Sequence, residues 1–232
     1  ICRARGAKRL IHASTIAALY LGDPRVTILG STPPDPQPAQ RGDYAHAKVL
    51  AENVLMEMHR TQGLPLVILR PGVVVGEGSS PFHSGLGSFN NDQHCLGWND
   101  GRNPLPFILV EDVASAIVAG LRADGIEGRS YNLVGDVRPS ASEYIAQLAD
   151  ALGRPLRFHP QAVAKLYGVE VAKWAIKMAG GRKPAWPSLR DLKSRGMVSP
   201  FDCADAKRDL AWSPVADGNV FAERAIRVHV PG

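Results

Sequence analysis

Cysteine is scarce in this chain of 232 residues, which contains only Cys2, Cys95 and Cys203. Their number is odd, and the positions lie far apart in the sequence. Such spacing fits neither a disulfide framework nor a zinc site. We therefore expect a protein of a reducing compartment, most simply the cytoplasm.

Long apolar runs, clustered charge and metal-ligand spacing are also missing. The longest apolar run, 64–75, is broken by Arg70 and Pro71, so no segment is suited to span a membrane. The net charge of +5 is spread along the chain, which argues against nucleic-acid binding. No group of His, Cys, Asp and Glu has the spacing of a metal site. With 45% hydrophobic and 21% charged residues, the composition is that of a globular domain with a core.

Tyr44 and Lys48 are the most informative residues that are present. They lie four positions apart in a segment predicted to be helical, and residues at this spacing share one face of a helix. An ammonium group beside a phenol favours the phenolate, which can take a proton from an alcohol. Ser14 and Thr15 follow a short predicted strand and offer a hydroxyl donor. By itself, however, a Tyr-x-x-x-Lys pattern is also common on solvated helices.

Six segments place this pair in a wider pattern. They are residues 9–20, 44–52, 69–76, 105–114, 131–135 and 201–214. In order and spacing they closely resemble the extended short-chain dehydrogenase/reductases, the NAD-dependent epimerase/dehydratase family. The resemblance implies NAD or NADP as cofactor, and hydride transfer at a secondary alcohol or ketone of a small molecule. It leaves open whether the reaction is that of a dehydrogenase, an epimerase or a dehydratase.

The resemblance also implies a role for each catalytic residue. Tyr44 is the acid/base, and Lys48 favours its ionised form and binds the nicotinamide ribose. The hydroxyl donor is either Thr15 or Ser14. Counting from the predicted strand favours Thr15, whereas Ser14 requires a small shift of register. Either hydroxyl is equally suited to capping the turn that follows.

By resemblance, four residues after the predicted strand 66–69 hold the nicotinamide carboxamide: Pro71, Gly72, Val73 and Val74. A plain turn from strand to loop is the alternative interpretation.

The substrate is less clearly indicated. Nucleotide-sugar relatives commonly have Arg-Asp before an aromatic residue, where this chain has Leu105 and Pro106 before Phe107. This departure brings the chain nearer to relatives that act on sterols, flavonoid-like ketones or lipid-linked groups. Arg102 is a candidate for binding a substrate phosphate, and a solvated loop arginine is an equally good interpretation.

One feature of the family is missing from the sequence. Its members open with a strand, a glycine-rich turn and a helix whose N-terminus holds the dinucleotide pyrophosphate. No Gly-x-x-Gly-x-x-Gly follows a strand in this chain. We therefore expect a fragment that lacks about 90 residues, since one βαβ unit takes roughly 30. The choice between NAD and NADP depends on residues of that part.

The predicted fold class is α/β: part of a Rossmann-type, doubly wound parallel sheet with a small, mostly helical C-terminal subdomain. Residues 1–139 are assigned to the NAD(P)-binding part, with a glycine-rich substrate loop at 76–104. A helix over 44–60 is expected to begin at an Asp43 N-cap and to stop at Gly63.

Residues 140–232 are assigned to the substrate-binding cap, some of whose segments can return to the first part. Ser140 and Glu143 form a predicted capping box, and an apolar pattern near helical period predicts a helix over 160–179.

Two rival functions stay open. A non-catalytic member of the fold, acting as a cofactor sensor or structural subunit, has no need of the phenolate that Tyr44 and Lys48 provide. A hydrolase that uses Ser14 lacks a nucleophile elbow and suitable partners. The resemblance also allows a homodimer formed through the Tyr44 helix.

Overall fold

The computed structural model describes residues 6–91, 93–196 and 199–230 of the chain. The strands are β1 (Leu10–Ala13), β2 (Leu66–Pro71), β3 (Val73–Val75), β4 (Gly87–Asn90), β5 (His94–Gly97), β6 (Phe107–Leu109), β7 (Ser130–Leu133) and β8 (Arg157–His159). The helices are α1 (Asp43–Gln62), α2 (Val110–Arg122), α3 (Ala141–Leu152), α4 (Val163–Ala179), α5 (Leu189–Arg195), α6 (Ala204–Asp209) and α7 (Gly218–Ala225).

The central sheet consists of parallel strands in the order β1-β2-β7. Leu10 of β1 pairs with Leu66 of β2, and Ile68 of β2 pairs with Ser130 of β7. Every residue of β2 is buried, as expected for a parallel strand covered on both faces. The predicted strand 66–69 therefore continues to Pro71, so that its end reaches the predicted site residues.

The two faces of β2 belong to different hydrophobic cores. Leu66 and Ile68 pack with partly buried residues of α1. Val67 and Leu69 instead join a larger cluster with residues of α2, β7 and α6. Helices thus cover both faces of a parallel sheet, which confirms the predicted α/β class.

The segment 76–104 is more ordered than a glycine-rich loop, which corrects that prediction. It contains the antiparallel hairpin β4–β5, and β5 also pairs in parallel with β8. Leu86 and Cys95 are buried in a core cluster. A Cβ atom at Gly87 would lie 2.4 Å from the backbone oxygen of Leu96. Glycine at position 87 therefore permits close strand pairing. The sequence pattern did not predict this pairing, because it was interpreted as a loop.

Helix α1 begins one residue before the predicted helix. Gly42 is its N-cap, in an extended conformation, so Asp43 occupies the first turn instead of the cap. A carboxylate in the first turn still interacts favourably with the helix dipole. At the other end, Gly63 adopts a left-handed conformation with φ of 66°, as the predicted stop requires.

The C-terminal part is mostly helical and returns to the central sheet. Ala206 of α6 and the nearby Trp212 are buried in the same core as Val67 and Leu69. Phe201 forms an isolated bridge with Ile28. A domain boundary at residue 139 stays a prediction.

Helix α4 begins at Val163, after Pro160, and all 17 of its residues are at least partly exposed. Among the residues that the structure describes, no helix combines the length and apolar character needed to cross a membrane.

The capping box of α3 provides a test of local stability. Ser140 Oγ accepts a hydrogen bond from the backbone of Glu143, whose carboxylate accepts one from the backbone of Ser140. Ser140→Ala should lower the free energy of unfolding by about 1 kcal/mol, measured by urea denaturation. Gln147→Ala, at an exposed position of the same helix, should change it by less than about 0.5 kcal/mol. Equal losses in the two variants would contradict this role of the cap.

Candidate active site

A cavity of about 620 Å³ lies where β1 and β2 end and α1 begins. Thr15 lines it just after β1, Gly72 just after β2, and Tyr44 from the first turn of α1. Trp98 and Arg195 line it from later parts of the chain. In open α/β sheets, ligands bind at the carboxyl ends of the strands. The cavity is therefore the candidate active site.

Tyr44 and Lys48 lie on the same face of α1, as their spacing predicts. The Tyr44 side chain is 62% exposed and lines the cavity. Lys48 Nζ lies 5.9 Å from the centroid of the Tyr44 ring, and it donates a hydrogen bond of 2.9 Å to the backbone oxygen of Ala13. That bond holds the ammonium group between α1 and the end of β1.

His12 of β1 lies near this ammonium group, and its side chain is neutral. Burial, followed by the positive charge of Lys48, lowers the pKa of His12 below its ordinary value. A histidine with a lowered pKa is neutral at pH 7. Lys48 therefore supplies the positive charge at this point of the site.

The structure separates the two candidate hydroxyl donors. Thr15 lines the cavity, and its Oγ1 accepts a hydrogen bond of 3.2 Å from the backbone N–H of Ala17. The Ser14 hydroxyl instead donates to the buried carboxylate of Glu52. Neighbouring residues at a strand end point to opposite sides, so the geometry brings Thr15 and not Ser14 to the cavity.

Glu52 and Arg70 form a buried ion pair that connects the segments around the site. Arg70 Nη2 lies 2.6 Å from Glu52 Oε2, and Arg70 Nε lies 3.0 Å from Glu52 Oε1. Arg70 Nη1 donates to the backbone oxygens of Gly30 at 3.0 Å and Thr32 at 2.9 Å. No role for this pair was predicted from the sequence. The sequence does contain one signal of the pair, namely Arg70 within an apolar strand. A buried charge requires a partner, so an arginine at this position indicates a buried acidic residue.

Three of the four residues predicted to hold the carboxamide line the cavity, namely Gly72, Val73 and Val74. Pro71 is buried as the last residue of β2 and is not among the lining residues. A Cβ atom at Gly72 would lie 2.0 Å from the backbone oxygen of Pro106. Glycine at this position therefore allows the two backbone segments to form one wall of the cavity.

Arg102 is exposed and is not among the cavity-lining residues. Its backbone N–H donates to Asp100 Oδ1 at 3.1 Å in a tight turn. This geometry gives no support to the predicted contact with a substrate phosphate, which stays a prediction.

Helix α5 contributes a wall that our sequence analysis did not predict. Asp191, Ser194 and Arg195 of this helix line the cavity, and the Arg195 guanidinium lies 5.0 Å from the centroid of the Trp98 ring. No motif marks the short helix in the sequence. Its place depends on contacts with residues more than 140 positions earlier in the chain.

Residues 1–134 match the NAD dependent epimerase/dehydratase family. The match covers more than half of the 232 residues, so the chain belongs to this family. Membership confirms the resemblance drawn from the six segments, and the NAD dependence of the family agrees with the predicted cofactor. In the described ranges, no group of three or more His, Cys, Asp or Glu residues is placed to hold a metal ion.

Two curated relatives show how much of a longer protein the chain matches. A (4-alkanoyl-5-oxo-2,5-dihydrofuran-3-yl)methyl phosphate reductase from Streptomyces griseus is 31% identical over an alignment of 126 residues, and the match covers 49% of this chain and 44% of the relative. Protein y4nG of Sinorhizobium fredii is 25% identical over an alignment of 218 residues, and the match covers 91% of this chain and 50% of the relative. The chain thus spans about half the length of the curated relatives it matches.

Solved structures share the fold. The protein gox2253 superposes with a TM-score of 0.71 at 22% identity, covering 97% of this chain and 67% of that one. UDP-glucuronic acid 4-epimerase from Bacillus cereus, crystallised with NAD, gives 0.67 at 19% identity, with 98% and 61% covered. RMD from Pseudomonas aeruginosa, crystallised with NADPH, gives 0.63 at 18% identity, with 97% and 67% covered.

The cavity residues fit one end of a nicotinamide dinucleotide. Lys48 and Tyr44 offer polar groups suited to a ribose, and the turn at Gly72 offers backbone atoms beside the apolar Val73 and Val74. No glycine-rich turn after a strand is found in the sequence for the pyrophosphate. The described residues therefore fit the nicotinamide end of the cofactor.

Removing one partner of the Glu52–Arg70 pair should be more damaging than removing both. Arg70→Met leaves the buried Glu52 carboxylate without its partner and should lower the free energy of unfolding by about 3–5 kcal/mol. The double variant Glu52→Leu/Arg70→Met should lose less, because no uncompensated charge remains. Urea denaturation measures both changes. If the double variant is the less stable of the two, the pair does not act as a compensated buried charge.

Proposed function

We propose that this chain provides the catalytic residues and the substrate side of an NAD(P)-dependent oxidoreductase or epimerase. Its reaction is the oxidation of a secondary alcohol or the reduction of a ketone. One observation carries the proposal: Tyr44 and Thr15 meet in one cavity, with Lys48 beside the phenol ring.

Tyr44 acts as the acid/base. In oxidation its phenolate takes the proton of the substrate hydroxyl, and in reduction its hydroxyl returns a proton to the carbonyl oxygen. The ammonium group of Lys48 lies 5.9 Å from the centroid of the phenol ring, and the bond to Ala13 keeps that charge in place. A bound dinucleotide would supply the donor or acceptor of hydride for the carbon that carries the reacting oxygen.

Thr15 orients the reacting oxygen. Its Oγ1 already accepts a hydrogen bond from the backbone N–H of Ala17, so its own O–H is available to donate. A donor in the cavity beside Tyr44 stabilises the negative charge that develops on the substrate oxygen. Ser14 cannot share this role while its hydroxyl donates to Glu52.

The lining of the cavity favours a substrate with a ring. Leu105 and Pro106 form an apolar wall, and Trp98 with Arg195 offers a flat, positively charged surface on another side. Such a surface stacks on planar groups or binds an anion. By their names, the S. griseus relative reduces a phosphate ester and the B. cereus enzyme epimerises UDP-glucuronic acid. We infer a cyclic ketone, or a sugar that carries an anionic group.

Tyr44→Phe separates catalysis from binding. The variant should lower turnover by about 10²–10⁴-fold, because proton transfer loses its group, and should leave the affinity for NADH or NADPH nearly unchanged. Cofactor fluorescence measures the affinity. Absorbance of the reduced nicotinamide and product chromatography measure turnover with UDP-glucose, UDP-glucuronic acid and flavanone.

Tyr167→Phe on α4 is the matched control and should behave as wild type. Normal turnover by Tyr44→Phe would contradict the mechanism. Cofactor binding without any turnover in the wild type would favour the non-catalytic, cofactor-sensing alternative.

The hydroxyl donor is identified by a second pair of variants. Thr15→Val should lower turnover by about 10²–10³-fold, since it removes a donor to the developing charge, and Thr15→Ser should restore most of it. Ser14→Ala should have a much smaller effect. The same turnover assay decides, and a greater loss in Ser14→Ala than in Thr15→Val would exchange the roles of the two residues.

A further inference from the structure

A buried carboxylate outside the catalytic set binds two arginines from distant parts of the chain. The side chain of Asp35 is fully buried, and its Oδ2 lies 2.8 Å from Arg41 Nη1. Its Oδ1 lies 2.6 Å from Nη2 of Arg190, which belongs to α5. Both guanidinium groups also lie over the ring of Tyr20, at 5.4 Å for Arg41 and 4.8 Å for Arg190. We call Asp35, Arg41 and Arg190 the Asp35 cluster.

The Asp35 cluster continues to the cavity through other residues of α5. Arg41 Nη2 donates to Ser194 Oγ at 2.8 Å, and Arg41 Nε lies 3.5 Å from Asp191 Oδ1. Asp191 in turn accepts hydrogen bonds from the backbone of Gly42 at 3.0 Å and from Arg195 Nε at 3.1 Å. The wall formed by Ser194 and Arg195 is therefore tied by charge to the segment that leads into α1.

Apolar burial contributes little to the position of α5. All seven residues of the helix are at least partly exposed, so it lacks the apolar anchor that holds α2 or α3. Burial by itself would raise the pKa of Asp35, but hydrogen bonds from Arg190 and Arg41 outweigh this effect and lower it. A carboxylate with a lowered pKa is ionised at neutral pH, and both ion pairs are then present.

We propose that Asp35, Arg41 and Arg190 are positioning residues that hold α5 as the substrate-side wall of the cavity. The inference rests on the proposed function in that the ligand facing this wall is the substrate. According to this proposal, the affinity for the substrate depends on the ionic attachment of α5. The cofactor binds elsewhere, at the Tyr44 and Lys48 face.

Arg190→Met is the first test, because it removes the ion pair between α5 and Asp35 and leaves the Arg41–Asp35 pair in place. Amide hydrogen exchange in α5 should become about tenfold faster, since local opening no longer breaks an ion pair. Exchange in α3 should not change. Asp35→Asn should have the same local effect. Lys193→Met, which removes an exposed charge from the same helix, is the matched control and should leave exchange in α5 unchanged.

The kinetic readout uses whichever of UDP-glucose, UDP-glucuronic acid and flavanone the wild type turns over. Arg190→Met should raise KM for that substrate about tenfold or more, because the wall no longer orients it. The affinity for NADPH should stay the same. If the role of Arg190 were purely structural, Arg190→Met would not raise KM while leaving the affinity for NADPH unchanged. It also would not confine faster amide exchange to α5.

Unchanged exchange in α5 of both Arg190→Met and Asp35→Asn would overturn the proposal. Faster exchange in α5 and α3 together would also overturn it, because the cluster would then stabilise the whole fold. Faster exchange in α5 with an unchanged KM would show that the wall does not contact the substrate. A wild type that turns over none of the probes would count against the proposed function, while the exchange data would still decide whether the cluster holds α5.

Discussion

The buried ion pair between Glu52 and Arg70 connects several segments around this site. Glu52 lies one helical turn after Lys48 on α1 and also accepts the hydroxyl of Ser14, next to Thr15. Arg70 lies just before the turn at Gly72 and binds the backbone oxygens of the 30–32 segment. Removing two charges from water is unfavourable, and an apolar pair of similar volume is often as stable. What the pair provides is a connection: Glu52 joins α1 to Arg70 of β2 and to Ser14 at the end of β1.

Different forces hold the two sides of the cavity. The side that carries Tyr44 and Thr15 rests on a parallel sheet whose central strand is completely buried, and packed interiors of this kind deform little. Another wall is formed by α5, an exposed helix attached through Asp35 and Asp191. Chemistry that requires fixed distances is thus placed on the apolar core. In the proposal above, the substrate is recognised by the wall that this ionic attachment holds.

Family membership and the geometry of the site support each other at different levels. The family match covers residues 1–134, which contain the sheet and the Tyr44 helix. Helix α5, which forms part of the cavity wall, lies beyond that range. The solved structures share the overall fold at 16–22% identity. The residues proposed for catalysis therefore lie inside the matched range, whereas the α5 part of the proposed substrate wall lies outside it. The chain spans about half the length of its curated relatives, so the activity of the whole protein stays a proposal.

The sequence by itself determined the features that depend on spacing within a few residues. The helical repeat places Tyr44 and Lys48 on one face, an apolar run predicts the buried strand β2, and Gly63 and the Ser140 capping box mark helix ends. Such features follow from backbone geometry and local hydrogen bonds. Only the tertiary structure decided which of two adjacent hydroxyls reaches the cavity, since Glu52, 38 positions after Ser14, takes up that side chain. The β4–β5 hairpin and the position of α5 were likewise known only from the tertiary structure. Ser194 of α5 contacts Arg41, which lies 153 positions earlier in the chain. Contacts over such separations depend on how the whole chain packs, and no local pattern records them.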